Sequence, residues 1–284
     1  MRWQTGRRSS NVEDRRGMGV GGPVGVGGIG TLLLVLVISF LTGQNPLQLL
    51  QLMDNTPAGG TPTEAPTGAP TGDPRAEFVA VVLGDTEEAW TRLFTANGDR
   101  YQPPVLVLFE DQVQSACGFA SAAVGPFYCP GDQKVYLDLS FFRELDQRFG
   151  APGDFAQAYV VAHEVGHHVQ NLLGVGERVD QLRRQMSETQ ANALSVRQEL
   201  QADCYAGIWG HHANRKQLLE SGDVEEGMQA AAAIGDDRLQ RGGRGRVSPE
   251  TFTHGSSSQR VEWLRRGLAS GQVEQCDTFG TSSR

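Results

Sequence analysis

The chain has 284 residues, of which 39% are hydrophobic and 20% charged, so it holds enough apolar material for one sizeable core with appendages. Its net charge of −8 argues against a general nucleic-acid-binding protein, because such a protein needs a basic surface that displaces counterions. We therefore predict one domain of catalytic size and no nucleic-acid partner.

The N-terminal region combines a basic start with a long uncharged segment. Residues 1–17 hold five arginines and two acidic residues, and no charged residue follows until Asp54. Residues 20–42 are long enough to cross a membrane as a helix, and the positive-inside rule then makes residues 1–19 cytoplasmic. This pattern predicts a single-pass protein of the cell membrane whose remaining chain is periplasmic or extracellular. A cleaved signal peptide is the alternative, although no convincing cleavage site follows the apolar run.

A linker is predicted over residues 43–74, since prolines recur there among threonine, glycine and alanine. Such a composition cannot bury a core, and it is typical of an extended tether that separates a folded domain from a membrane. A dispensable disordered insert is the alternative interpretation. The folded domain is expected to span residues 75–284.

The folded domain is predicted to mix helices with a small sheet. Apolar residues at helical spacing predict a helix that begins near Arg75. The apolar run at residues 105–109 and the alternating run at residues 134–142 predict two strands. The segment GPFYCPGDQKVYLDL, at residues 125–139, is either an edge strand that pairs with an extended substrate or a buried strand. The pattern predicts an α+β fold.

Helical patterns dominate beyond residue 150. A helix is predicted over residues 154–173, with Asp154 as its N-cap and Gly174 as its C-terminal stop. A second helix is predicted to open at Ser187, where Gln190 three residues later completes a capping-box pattern.

Four cysteines are present, an even number that suits two disulfide bonds in an exported domain. Of the three connectivities that four cysteines allow, we prefer Cys117 with Cys129 and Cys204 with Cys276. No CxxC spacing occurs, which argues against a zinc site made of cysteines.

The segment AHEVGHHVQ carries the strongest chemical signal, because it contains His163, Glu164 and His167 in the pattern HExxH. On a helix, residues four apart lie on one face, so both imidazoles can reach one metal ion. Glu164 lies beside them and can take a proton from water activated by the metal. The alternative is a pair of helix-face histidines that only form hydrogen bonds.

A catalytic zinc ion normally has three protein ligands, so a third must lie elsewhere. The pattern HExxHxxGxxH is excluded, because Gln170 and Leu173 occupy its last two defined positions. Downstream, Glu199 and Asp203 are again four residues apart on a predicted helix. We predict that Glu199 is the third ligand and that Asp203 accepts a hydrogen bond from a ligand imidazole. A solvated acidic helix face is the alternative.

A further signal lies in the segments HEVGHHVQ, ELQADCYAG, GPFYCPGDQKVYLDLSFF and FTHGSSSQR. Together they resemble the neutral zinc metallopeptidase family of bacterial membrane-anchored proteins, over about residues 75–279 and the arginine-rich start. HExxH followed by ExxxD is also similar to thermolysin-like zincins. The resemblance implies a zincin-like domain with one Zn²⁺ on His163, His167 and Glu199, and with Asp203 bonded to His163. It does not supply a substrate.

His254 and Arg260 are candidates for stabilising the oxyanion that forms when a peptide carbonyl is attacked. They flank the serine-rich turn in FTHGSSSQR, and similarity to other zincins suggests that a downstream His or Arg holds substrate or the intermediate. The alternative is that both only pin the loop. His168, His211 and His212 are predicted to be structural.

These features predict a membrane-anchored zinc metallopeptidase, an endopeptidase with peptide or protein substrates and Glu164 as general base. Two alternatives stay open. One is an inactive, zinc-stabilised binding or scaffold protein of the envelope, and the other is a hydrolase of another amide such as a cell-wall peptide link.

Overall fold

A computed structural model describes residues 1–17, 68, 72–244 and 246–280. These residues form an α+β fold, as predicted. Its strands are β1 (Val12–Asp14), β2 (Val105–Phe109), β3 (Gln112–Ser115), β4 (Gly118–Ser121), β5 (Phe127–Cys129) and β6 (Lys134–Asp138). Its helices are α1 (Pro74–Ala96), α2 (Phe141–Gln147), α3 (Asp154–Leu172), α4 (Val175–Arg183), α5 (Glu188–Arg215), α6 (Asp223–Ala233), α7 (Asp236–Arg244) and α8 (Ser257–Ser270).

The main sheet has the strand order β1, β2, β6, β5. The first three strands are parallel, with Val12 opposite Leu106 and Val107 opposite Tyr136. Because β2 is an interior strand of a parallel sheet, its residues are apolar throughout rather than alternating. β5 pairs antiparallel with β6 and lies at the end of the strand order, so the edge strand, one of the two alternatives for residues 125–139, is present in β5. β3 and β4 form a separate hairpin.

α3 is the central helix, and it packs against α1, α5 and α6. Its buried apolar residues include Phe155, Val165 and Val169. α3 and α5 approach closely at Gly166, where an added Cβ would lie only 2.9 Å from the carbonyl oxygen of Ala202. The glycine therefore allows the two helices that carry the predicted ligands to pack backbone to backbone.

Local signals located several of the elements correctly. The helix near residue 75 and the strand at residues 105–109 are confirmed as α1 and β2. The predicted capping box at Ser187 is confirmed, since the Ser187 side chain accepts from the backbone of Gln190 while the Gln190 side chain accepts from Ser187 N. The prediction that Asp154 caps α3 is wrong, because Gly153 takes that position. The Asp154 carboxylate instead binds the Met1 ammonium at 2.7 and 2.8 Å.

The predicted single-pass topology is wrong. Among the described residues, no helix is both long and apolar enough to cross a membrane, and the predicted span at residues 20–42 lies outside them. That topology would also place residues 1–19 across a bilayer from the domain, whereas β1 pairs with β2 in the domain's own sheet. Two of the arginines interpreted as a cytoplasmic flank instead form ion pairs with α1, Arg7 with Glu87 and Arg8 with Glu77.

The N-terminal 15 residues therefore belong to the same compact unit as the described residues from 68 onward. Almost all of the predicted linker at residues 43–74 lies outside the described part of the chain. The boundaries proposed for the span and for the linker stay predictions.

Candidate metal centre

Two neighbouring helices bring three predicted ligands together. His163 and His167 lie one turn apart on α3, and Glu199 lies on α5; their ligand atoms are all within 4.8 Å of one another. His163 Nε2 is 3.2 Å from Glu199 Oε2, and His167 Nε2 is 3.4 Å from Glu199 Oε1. Both imidazoles thus direct the same ring nitrogen toward one carboxylate.

These distances fit a zinc ion. Zinc bonds to nitrogen and oxygen are about 2.0–2.1 Å long, so neighbouring ligand atoms of a tetrahedral site lie about 3.3–3.4 Å apart. The separations of 3.2 and 3.4 Å, which run to the two different oxygens of Glu199, are close to that spacing. Two imidazoles and one carboxylate are also a ligand set that zinc uses in catalytic sites, where the fourth position is left for water or substrate.

The electrostatics of the cluster favour a cation. Burial alone would lower the pKa of His163, but Asp203 and Glu199 outweigh it and raise that pKa to about 10. Burial alone would raise the pKa of Glu199, yet the two histidines hold it well below its ordinary value. The same negative field that attracts protons to these imidazoles would stabilise a metal ion, which binds only after the protons leave.

His163 is oriented by a group that we call the carboxylate clamp, made of Asp203, Arg260 and Tyr159. Asp203 Oδ1 lies 2.8 Å from His163 Nδ1 and accepts from the Tyr159 hydroxyl at 2.6 Å. Arg260 donates to both oxygens of Asp203, each at 2.8 Å. Burial would raise the pKa of Asp203, but Arg260 and His163 outweigh it and lower that pKa to about 2. A permanent acceptor at Nδ1 leaves Nε2 of the neutral ring free for a metal.

His167 is oriented by different chemistry, a group that we call the amide chain, made of Gln170 and Gln201. Gln170 Oε1 lies 2.9 Å from His167 Nδ1. Gln170 Nε2 donates to the carbonyl of Gln198 at 2.7 Å and to Gln201 Oε1 at 3.1 Å. Gln201 Nε2 donates to the carbonyl of Cys276 at 3.0 Å. All partners in this chain are neutral.

The predicted role of Arg260 as a substrate contact is not what its geometry supports. Arg260 borders the cavity beside the cluster, but its side chain is only 2% exposed. Its donors go to Asp203, to the Tyr159 hydroxyl and to the carbonyl of Ile234. Because its guanidinium is used inside the carboxylate clamp, Arg260 acts on the centre through Asp203 and His163.

His254 remains accessible, with about half of its side chain exposed at the border of the same cavity. Its backbone N–H donates to Asp236 Oδ2 at 2.6 Å, and its Nδ1 lies 3.3 Å from Asp236 Oδ1. The N–H groups of Thr253 and Gly255 also donate to Asp236. The Asp236 hydrogen bond raises the pKa of His254 against the opposing effect of burial. The loop is therefore pinned, and its imidazole still faces the cavity.

The cavity has a volume of about 1080 Å³ and runs along the exposed side of α3. Val160, Glu164 and Asn171 on α3 contribute to its lining, together with the predicted ligands His163 and His167. The edge strand β5 forms another part of the lining through Phe127 and Tyr128. Glu164 thus lies in the same space as the ligand cluster and the sheet edge.

The remaining histidines lie outside the ligand cluster. His168 is buried and bonds to the carbonyl of Gln102 and to the Tyr128 hydroxyl, which ties β5 to α3. His211 bonds to the carbonyl of Leu268, and burial lowers the pKa of His212.

Both disulfides form in the preferred pairing, Cys117 with Cys129 and Cys204 with Cys276. The first holds the β3–β4 turn against the end of β5. The second holds the C-terminal segment, which we define as residues Val273–Cys276, against α5 immediately after Asp203.

Sequence reasoning missed four supporting residues: Tyr159, Gln170, Gln201 and Asp236. Gln170 had a local signal, since it lies three residues after His167 on the same helix face. Asp236 had none, because 18 residues separate it from His254.

Over residues 1–279, the chain matches the sequence model of a protein family described as "Putative neutral zinc metallopeptidase". It is 47% identical over 291 residues to the uncharacterized protein YpfJ of Escherichia coli, covering 99% of this chain and 100% of that protein. It is 46% identical over 193 residues to the uncharacterized protein Rv2575 of Mycobacterium tuberculosis, covering 64% of each chain. No solved structure matches it. The matched range includes the N-terminal residues that form β1.

Proposed function

The chain belongs to the neutral zinc metallopeptidase family, and we propose that it is a zinc-dependent endopeptidase that hydrolyses peptide bonds in peptide or protein substrates. One observation carries the proposal. Candidate ligand atoms of His163, His167 and Glu199 all lie within 4.8 Å of one another, and these residues border a cavity that Glu164 also lines.

One zinc ion per chain, held by His163, His167 and Glu199, would supply Lewis-acid catalysis by polarising the scissile carbonyl and lowering the pKa of water. The residues of the chain do the rest. Glu164 takes a proton from the attacking water and delivers it to the leaving amine, as a general base and then a general acid. The carboxylate clamp and the amide chain hold the two imidazoles in place during these steps.

His254 is proposed to stabilise the negative charge that develops on the carbonyl oxygen. Its raised pKa favours the charged imidazolium, and Asp236 fixes the loop that presents it. A positioned hydrogen-bond donor of this kind is worth about 10²–10³-fold in rate.

The substrate is proposed to pair with β5. An edge strand offers unpaired backbone groups to an extended peptide, and β5 lies at the end of the sheet and along the cavity. Backbone pairing requires no chain terminus, which supports an endopeptidase rather than an exopeptidase.

The site itself is tested by the zinc content of the purified full chain. We expect about one zinc per wild-type chain and little in Glu199→Ala, because two imidazoles alone do not form a closed site. Glu177→Ala, which removes an acidic residue of the cavity border outside the cluster, is the matched control and should keep its zinc. A folded wild type that refuses added zinc would disprove the proposal.

The general base is tested by Glu164→Gln. We expect this variant to keep zinc, because Glu164 is not a ligand, and to lose peptide cleavage by several orders of magnitude, because the amide cannot accept the proton. Unchanged cleavage would remove Glu164 from the mechanism. A wild type that binds zinc but cleaves no peptide would favour the binding or scaffold function.

A further inference from the structure

We propose that Gln170 and Gln201 are positioning residues of the metal centre, which fix His167 through neutral hydrogen bonds that end on the disulfide-held C-terminal segment. The inference rests on the zinc site of the proposed function but does not require peptide hydrolysis. It assigns a role in metal binding to residues as far along the chain as Cys276.

The hydrogen bonds of the amide chain can run in only one donor-to-acceptor direction, which backbone carbonyls determine. A carbonyl oxygen only accepts hydrogen bonds, so the Gln170 atom that faces the carbonyl of Gln198 at 2.7 Å must be its NH₂ group. The oxygen of Gln170 then faces His167 Nδ1 at 2.9 Å, and because this oxygen can only accept, Nδ1 must carry the proton of the hydrogen bond. A neutral His167 with its proton on Nδ1 presents the lone pair of Nε2 to the metal.

The second amide is oriented by the same logic. Gln201 faces the carbonyl of Cys276 at 3.0 Å with its NH₂ group, which turns its oxygen toward Gln170. That oxygen accepts the other N–H of Gln170 at 3.1 Å. The backbone carbonyls of Gln198 and Cys276 thus orient both amides, and this orientation places the proton of a neutral His167 on Nδ1.

Burial makes these contacts obligatory. Gln170 is 0% exposed and Gln201 is 6% exposed, so neither amide can exchange its partners for bulk water. An unpaired buried amide costs about 1–3 kcal/mol, which keeps both side chains in the observed orientation.

The far end of the amide chain is held covalently. Cys276 is bonded to Cys204 on α5, and Cys204 directly follows Asp203 of the carboxylate clamp. The hydroxyl of Thr278 adds a hydrogen bond to the carbonyl of Arg197 on the same helix. The carbonyl that orients Gln201 therefore does not depend on a loose chain end.

The test measures zinc affinity of the full chain by competition with a chelator, together with the visible spectrum of the cobalt-loaded protein. Gln170→Leu removes the acceptor at His167, and we expect zinc affinity to fall about 10–100-fold with altered cobalt bands. Gln201→Met should cause a smaller fall of about 3–10-fold, because the carbonyl of Gln198 still orients Gln170.

Gln229→Met is the matched control. Gln229 also donates its side-chain NH₂ to a backbone carbonyl, that of Gly150, but it lies outside the amide chain. We expect wild-type zinc affinity and cobalt bands from this variant. Circular dichroism verifies folding, and Gln201→Met decides the test if Gln170→Leu does not fold.

Wild-type affinity and unchanged cobalt bands in folded Gln201→Met and Gln170→Leu would overturn the proposal. The same losses in Gln229→Met would also overturn it, because a general effect of glutamine removal would then explain them. A wild type that binds no zinc overturns both the proposed function and this inference. A wild type that binds zinc without cleaving peptides overturns only the function.

Discussion

His163 and His167 have the same proposed task on the same helix, yet opposite kinds of chemistry hold them. The carboxylate clamp places a buried ion pair behind His163, with Asp203 between the imidazole and Arg260. The amide chain places two neutral glutamines behind His167. Both supports put an acceptor at Nδ1 and leave Nε2 for the metal. The two imidazoles thus have the same orientation toward the metal, but the free-energy cost of losing the support differs between them.

That difference shows where the centre is vulnerable. Breaking a buried ion pair leaves an uncompensated charge and costs about 3–5 kcal/mol, whereas an unpaired buried amide costs about 1–3 kcal/mol. A ligand held by a carboxylate also gains electron density from it, while an amide orients without adding charge. We therefore expect the His163 side to respond more strongly to single substitutions than the His167 side.

The largest effect is expected from Asp203→Ala, which leaves Arg260 charged and only 2% exposed. We expect a loss of about 3–5 kcal/mol in the free energy of unfolding, measured by chemical denaturation, together with weaker zinc binding.

The double variant Asp203→Ala/Arg260→Leu is the control, and it should recover much of the lost stability because it removes the stranded charge. A loss of unfolding free energy below about 1 kcal/mol in the single variant would show that water reaches Arg260. The His163 side would then be no more sensitive to substitution than the His167 side.

A smaller effect is expected from Tyr159→Phe, which removes a hydroxyl from the carboxylate clamp but keeps its ion pair. Tyr159 donates to Asp203 at 2.6 Å and accepts from Arg260 at 3.1 Å. We expect a loss of about 1–2 kcal/mol in unfolding free energy and an almost unchanged zinc content. A loss as large as that of Asp203→Ala would mean that the ion pair is not the dominant part of the clamp.

The smallest effect is expected at the pair of Asp236 and His254, where the carboxylate is buried but about half of the histidine side chain is exposed. Burial would raise the pKa of Asp236, but hydrogen bonds from His254 and from backbone N–H groups outweigh it and lower that pKa. Asp236 therefore adds stability above the unfolded-state pKa near 3.8, and this stability is lost as the pH falls through the folded-state value. The raised pKa of His254 adds stability below about pH 6.5 that is lost at higher pH.

Asp236→Asn should consequently flatten the dependence of melting temperature on pH, both on acidification below about pH 4 and on passing above about pH 6.5. Asp180→Asn, which changes an exposed acid on α4, is the comparison variant and should keep the wild-type profile. Two superimposable profiles for wild type and Asp236→Asn would mean that the pair contributes nothing to folding.

The three candidate ligands could be brought together from the sequence because each pair of residues has a local signal. HExxH places His163 and His167 on one helix face by geometry alone, and the spacing of Glu199 and Asp203 does the same on α5. The capping box at Ser187 is equally local. Arg260 was found, but its role was not, since its partner Asp203 is 57 residues away and only the packed fold shows that the pair is buried.

The membrane prediction failed for a related physical reason. Hydropathy and charge along the chain describe what a segment could do in isolation, and five arginines before an apolar run are typical of a membrane flank. The sequence alone does not show that Arg7 and Arg8 meet Glu87 and Glu77, or that residues 12–14 complete a sheet with a strand more than 90 positions later.

The amino-acid sequence by itself predicted the family, three of the helices and the three candidate zinc ligands, because the motifs that carry them lie within short segments of the chain. Only the tertiary structure decided how the ligands are held, by an ion pair behind His163 and an amide chain behind His167. Those partners lie up to 101 residues apart, and whether a buried charge or a buried amide is satisfied depends on packing that no local pattern contains.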